Sequence, residues 1–173
     1  MPVDVVIEDP RWDEALLAPL ARQGAEATLR HLGLEPDVFE IVLLACDDVR
    51  IAALNADFRG KPAPTNVLCW PEWDLSAETD GEVPYPPETG SASEPEPLGN
   101  IALAYDTCAR EAIEQDKSFD NHLRHLIVHS VLHLLGYDHI RDKDAALMEE
   151  TEVEILARLG VSDPYETGAE MPL

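Results

Sequence analysis

Apolar positions along the chain change period several times, and each change predicts an element. Val3 to Glu8 is β-branched and reads as an opening strand, ended by Asp9-Pro10. From Trp12 to His31, Leu16, Leu20, Ala27 and Leu29 recur at helical spacing, with an interruption expected at Pro19 and a stop at Gly33. Val38 to Ala45 is a compact apolar run of strand length. Helical spacing returns over Val49 to Phe58, behind the capping carboxylates of Asp47 and Asp48. Leu98 to Ala104 is again a strand, and a short helix from Cys108 to Gln115 follows, capped by Asp106 or Thr107. Leu123 to Leu135 is apolar enough for a buried helix, with Asp120 or Asn121 as its cap. The last helix, Asp144 to Leu159, turns Met148, Ile155, Leu156 and Leu159 inward and Glu149, Glu150, Glu152 and Glu154 to water, and Gly160 ends it. Strand, helix, strand, helix, two strands, then helices predict a small α+β (α/β-type) domain with a mixed sheet.

One stretch breaks the pattern. Residues 71–97 hold eight acids and six prolines and no Lys or Arg. Such a composition cannot bury a core and predicts a solvated, mobile loop inserted into the domain. It is read as an insertion without a catalytic role; the competing reading, a regulatory lid, requires that its deletion raise activity. The predicted organisation is one domain over residues 1–162, carrying that insertion, with a frayed polar tail over 163–173.

Charge and cysteine usage narrow the partners. The formal net charge is −23, which opposes broad affinity for nucleic acid and predicts weak binding to naked RNA without a partner that presents it. Cys46, Cys69 and Cys108 are scattered and odd in number, which fits a reducing compartment and no disulfide framework. No basic leader precedes an apolar stretch at the N-terminus, and no apolar run approaches membrane-spanning length, so a cytoplasmic location is expected.

The chemistry gathers between His129 and His139. Three imidazoles stand at i, i+4 and i+10 in His-Ser-Val-Leu-His-Leu-Leu-Gly-Tyr-Asp-His. The four-residue step puts His129 and His133 on one helix face. Gly136 lets the chain turn back, bringing His139 to the same point. Three neutral imidazoles with an open fourth position suit one zinc ion. Asp138 either orients an imidazole or bonds the turn backbone. His122 and His125 share the ligand face; they either line a substrate groove or form part of its wall. The spacing is also that of metzincin proteases, but their mechanism needs Glu directly after the first His, and Ser130 stands there.

The same stretch resembles the signature of the YbeY family of endoribonucleases, His-Gly-x-Leu-His-Leu-x-Gly-Tyr-Asp-His, with Ser130 in place of Gly. A second block, Leu54-Asn55-Ala56-Asp57-Phe58-Arg59 followed by Pro64-Thr65-Asn66-Val67-Leu68, resembles the family's Leu-Asn-x-x-Phe-Arg and Pro-Thr-Asp-Val-Leu. Asn66 and Asn100 stand where the family usually has Asp, and Cys69-Trp70 replaces Ser-Phe. An Asn cannot act as a base, so Asn66 is read as orienting its loop. The resemblance implies a sheet of about four strands packed by helices, metal ligands at His129, His133 and His139 in a cleft at the end of a central helix, and catalytic roles for Arg59 and His129. A guanidinium suits that role, since it stays charged and grips phosphate oxygens with two hydrogen bonds. The resemblance also implies single-stranded RNA as substrate, processing of the small-subunit rRNA 3′ end, ribosome quality control, and the ribosomal small subunit and its proteins as partners. Neither DNA nor a membrane is expected. The rival classes are a metalloprotease or other zinc hydrolase, and a non-catalytic ribosome-assembly factor with a structural metal.

Overall fold

The computed structural model describes residues 3–165. Four strands, β1 (Val3–Ile7), β2 (Phe39–Cys46), β3 (Val67–Pro71) and β4 (Glu96–Ala104), form one mixed sheet in the order β1-β2-β4-β3. The pairs β1·β2 and β2·β4 are parallel, and β3 runs antiparallel along the edge of β4. Five helices complete the fold: α1 (Glu14–His31), α2 (Asp48–Arg59), α3 (Tyr105–Glu114), α4 (Phe119–Leu134) and α5 (Asp142–Arg158).

Strand alternation sorts the side chains into two layers. Phe39, Ile41, Leu43 and Ala45 of β2 join the main core with Ile101 and Leu103 of β4, and α1, α4 and α5 close over that face. On the other face Cys46, Ala102 and Ala104 pack with Leu68 beneath Ile51 and Leu54 of α2. Helix α4 lies deepest, with Leu126, Val128, Val131 and Leu132 fully enclosed. It passes so close to α1 that a Cβ on Gly24 would come within 2.8 Å of Ile127 Cγ2. Deep burial of α4 is what gives the two histidines on its outer turns a fixed platform.

Several local expectations change. Helix α1 runs unbroken through Pro19, because packing of its buried face outweighs one missing hydrogen bond. Helix α3 begins at Tyr105 with no side-chain cap; Asp106 instead pairs with Arg11, and the Thr107 hydroxyl donates to Asp48 at 2.8 Å. Helix α4 begins at Phe119, and Ser118 rather than Asp120 or Asn121 caps it, accepting from the Asn121 N–H at 3.1 Å.

The acidic stretch is not detached from the body. Its ends are shared with the sheet, since Pro71 belongs to β3 and Glu96 and Pro97 to β4. Between them the chain docks on the start of α5, whose own N-cap residue, Arg141, makes no side-chain cap bond. The Asp80 carboxylate supplies that cap from the loop, accepting the backbone N–H groups of Asp144 at 2.8 Å and Lys143 at 3.4 Å. In return Asp144 accepts from the Gly81 N–H at 2.8 Å, and the Arg141 guanidinium donates to the carbonyls of Ala77 and Glu78 at 2.7 and 3.0 Å. The loop composition excludes a core, but carboxylates and carbonyls without local partners can still satisfy a neighbouring helix end, and these do. The chain after α5 also begins against the body, with Pro164 buried and Tyr165 half-buried; the rest of the predicted tail, 166–173, lies outside the described residues.

Candidate metal centre

His129 and His133 stand one turn apart at the C-terminal end of α4. Each ring is fixed through Nδ1. His129 Nδ1 is hydrogen-bonded to Glu152 Oε1 of α5, and His133 Nδ1 donates to the Tyr137 carbonyl at 3.1 Å. Glu152 is 0% exposed, yet it is held ionised. Burial alone would raise its pKa, but hydrogen bonds from His125 and His129 bring it down to about 2. An ionised carboxylate only accepts, so His129 donates from Nδ1 and leaves its lone pair on Nε2. That Nε2 is buried and has no hydrogen-bond partner. A ring nitrogen with a free lone pair and its other nitrogen anchored is the arrangement of a metal-ligating histidine.

His139 follows the turn. Its ring centroid lies 5.7 Å from that of His129. The turn depends on Gly136, whose φ of +99° suits glycine and whose missing side chain leaves room for the Leu75 backbone, 2.6 Å from where a Cβ would stand. All three rings are near enough to affect one another: burial lowers the His133 pKa first, and His129 and His139 lower it further against the opposing pull of Asp138. His133 therefore stays neutral below the usual histidine range, as a ligand must. Among the described residues, no group of three or more His, Cys, Asp or Glu side chains is arranged to hold an ion as it stands. His139 is the least fixed of the three: its side chain is 39% exposed, and its Nδ1 stands 3.8 Å from Asp138 Oδ1. Three imidazole donors fit, in chemistry, a metal ion that takes nitrogen ligands.

Asp138 serves the turn, accepting the His139 backbone N–H at 2.7 Å. His122 is fully enclosed, and His125 edges a pocket with Lys117, Asn121 and Pro164 rather than the surroundings of His133. Both are buried against carboxylates, His122 Nε2 at 3.0 Å from Glu111 Oε1 and His125 Nε2 at 3.1 Å from Glu152 Oε2. Glu152, placed by sequence on the wet face of α5, is the functional residue that reasoning missed. Ser130 is closed off, its buried hydroxyl donating to the Leu126 carbonyl at 2.6 Å.

Arg59 ends α2 and is exposed, just before Gly60 in the left-handed conformation. Its charge reaches the buried Cys69 thiol. Burial pushes that thiol up to about 11, with the Arg59 charge pulling the other way. Asn66 is buried: its Oδ1 accepts the Val67 N–H at 2.7 Å, and its Nδ2 donates to Glu111 at 3.1 Å. It fixes the start of β3, as its reading from sequence required. Asn100 is exposed on β4 opposite Trp70, away from the histidines.

Beside His133 a cleft of about 300 Å³ opens. His133, Tyr137 and Asp138 form one wall, and Trp73, Asp74, Leu75 and Ser76 of the acidic loop form the other. The Trp73 ring is half exposed, and its Nε1 donates to Glu96 at 3.0 Å.

Comparison with known proteins bears on this site directly. The model of the family described as Endoribonuclease YbeY matches residues 6–160. A Ruegeria pomeroyi protein named Endoribonuclease YbeY is 56% identical over 168 residues, covering 95% of this chain and 98% of its own length. The Paracoccus denitrificans protein of the same name is 53% identical, covering 94% of this chain and 89% of its own. The solution structure of a Thermotoga maritima protein shares the fold with a TM-score of 0.57 at 21% identity, covering 97% of this chain and 99% of its own. With the family match spanning nearly every element that builds the histidine cleft, the chain belongs to the YbeY endoribonuclease family.

Proposed function

We propose that this chain is a zinc-dependent, single-strand-specific endoribonuclease that acts in the cytoplasm in rRNA processing, at the small-subunit rRNA 3′ end and in ribosome quality control. The observation that carries the reading is the pair of anchored imidazoles, His129 and His133, both held through Nδ1, with His133 lining an open cleft. His129, His133 and His139 would hold one zinc ion, with His139 turning its exposed ring inward. Bound there, zinc supplies Lewis acidity toward a phosphoryl oxygen and lowers the pKa of water. The chain's own residues do the rest. Glu152 and the Tyr137 carbonyl keep the imidazoles in one tautomer. Arg59 grips the phosphate and holds the charge that builds on it. Trp73 offers a half-exposed ring to an unpaired base, which restricts the cleft to single strands.

The protease alternative loses its base, since Ser130 stands after His129 and its hydroxyl is occupied. A closed structural site would need a fourth protein ligand, and Asp138 is engaged with the turn backbone. The net charge of −23 supports a substrate presented by the ribosomal small subunit and its basic proteins rather than captured as naked RNA. Dialysis against a chelator, followed by assay on a labelled single-stranded RNA with and without added zinc, tests the reading. Activity lost on dialysis and restored by zinc is expected; activity indifferent to the chelator contradicts it.

A further inference from the structure

The most unusual group in the molecule outside the three ligands is a carboxylate with no access to solvent. Glu152 of α5 is 0% exposed and meets three donors at once. Its Oε1 takes His129 Nδ1. Its Oε2 takes His125 Nε2 at 3.1 Å and the Tyr165 hydroxyl at 2.6 Å. The three rings that meet it also meet one another edge-on, the His125 centroid lying 6.3 Å from that of His129 and 5.7 Å from that of Tyr165. A buried carboxylate without partners is costly, and one held by three donors is fixed in a single place.

We propose that Glu152 is the positioning residue of the metal centre, and that His125 and Tyr165 act through it. The inference rests on the metal-dependent reading above. Glu152 accepts the Nδ1 proton of His129, fixes its tautomer and aims Nε2 at the ion. His125 and Tyr165 hold the second carboxylate oxygen, so the pair cannot rotate away. The hydroxyl of Tyr165 comes from the segment after α5, so the stretch beyond Arg158 completes the support of a ligand on α4. A charged carboxylate on Nδ1 also makes the imidazole a stronger donor to metal, an effect worth about ten- to a hundredfold in affinity.

Zinc affinity measured by competition with a chromophoric chelator tests this without reference to catalysis. The variants are Glu152→Gln, Tyr165→Phe and, as a buried control on the same helix, Thr151→Ser. Expected for Glu152→Gln is about ten- to a hundredfold weaker zinc binding with the helical circular dichroism retained. Tyr165→Phe, which removes one donor and leaves the carboxylate, gives a smaller loss of severalfold and keeps the proposal testable if Glu152→Gln does not fold. Cobalt(II) in place of zinc shows shifted visible bands in both variants but not in Thr151→Ser. Stoichiometric zinc binding by the wild type with unchanged affinity and cobalt spectrum in both variants overturns this inference alone. A wild type that binds no zinc overturns it together with the metal-dependent reading.

Discussion

Polar residues decide this site more than apolar ones. Arg59 is exposed and touches none of the histidines' partners, so its removal leaves the centre intact. Arg59→Ala therefore lowers kcat/KM on single-stranded RNA by about 10²–10³ while zinc content stays at the wild-type level; a near-normal rate removes Arg59 from catalysis. Asn66 shows the opposite dependence on environment. It stands where the family usually has Asp, and here its amide donates to Glu111, which His122 also meets. An Asp would set two carboxylates about as close as Asn66 and Glu111 are now. Asn66→Asp accordingly destabilises the fold at pH 7.5 by about 2 kcal/mol or more, read by urea unfolding; stability equal to wild type shows that this pair tolerates a shared proton. The three candidate ligands stood out because chemistry and spacing coincide in them. Glu152 was legible in principle, since it lies four residues from both Met148 and Leu156 and so on the buried stripe of α5. It was assigned to water because a lone carboxylate among four nearby glutamates carries no sign of which one has found partners.

At the level of elements, periodicity recovered the five helices and the strands β1, β2 and β4 to within about four residues, because buried stripes and runs are long signals; β3 (Val67–Pro71), five residues beside the acidic stretch, had no range of its own. The ends were less legible. Ser118, not Asp120 or Asn121, caps α4, and α5 takes its cap from Asp80, over sixty residues away in the chain. No local pattern encodes a cap delivered across the fold. That contact couples the acidic loop to the turn holding His139, which sits directly before α5. Asp80→Ala frees the loop: proteolysis becomes faster within residues 76–90, and zinc affinity falls severalfold as the His139 turn loosens. Unchanged proteolysis would mean that the Arg141 and Asp144 contacts suffice to dock the loop. Composition described the loop as solvated and mobile; its attachments to Arg141 and Asp144 explain why it instead forms one wall of the cleft.

Taken whole, the molecule combines a deeply buried ligand helix with a strongly acidic surface. Among the described residues no helix is long and apolar enough to cross a membrane. Burial of His125 and His133 depresses both pKa values below 6.5 in the folded state. Unfolded histidines bind protons near pH 6.5, so the unfolded chain takes up more protons as pH falls. The stability contribution of these residues is fully present above that pH and is lost as pH drops toward their folded values. Metal-free protein is thus less stable at pH 5.5 than at pH 7.5, measured as the urea midpoint; equal midpoints would deny that the rings are buried neutral. The central claim, that the histidine cleft of this endoribonuclease-family chain cuts RNA through a bound metal, is tested most directly by one comparison. Labelled single-stranded RNA is incubated with the wild type and with His133→Ala, purified side by side. Cleavage by the wild type and its loss in the variant, with the fold retained, is the predicted result. Equal cleavage by both would contradict the account and point to a contaminating nuclease.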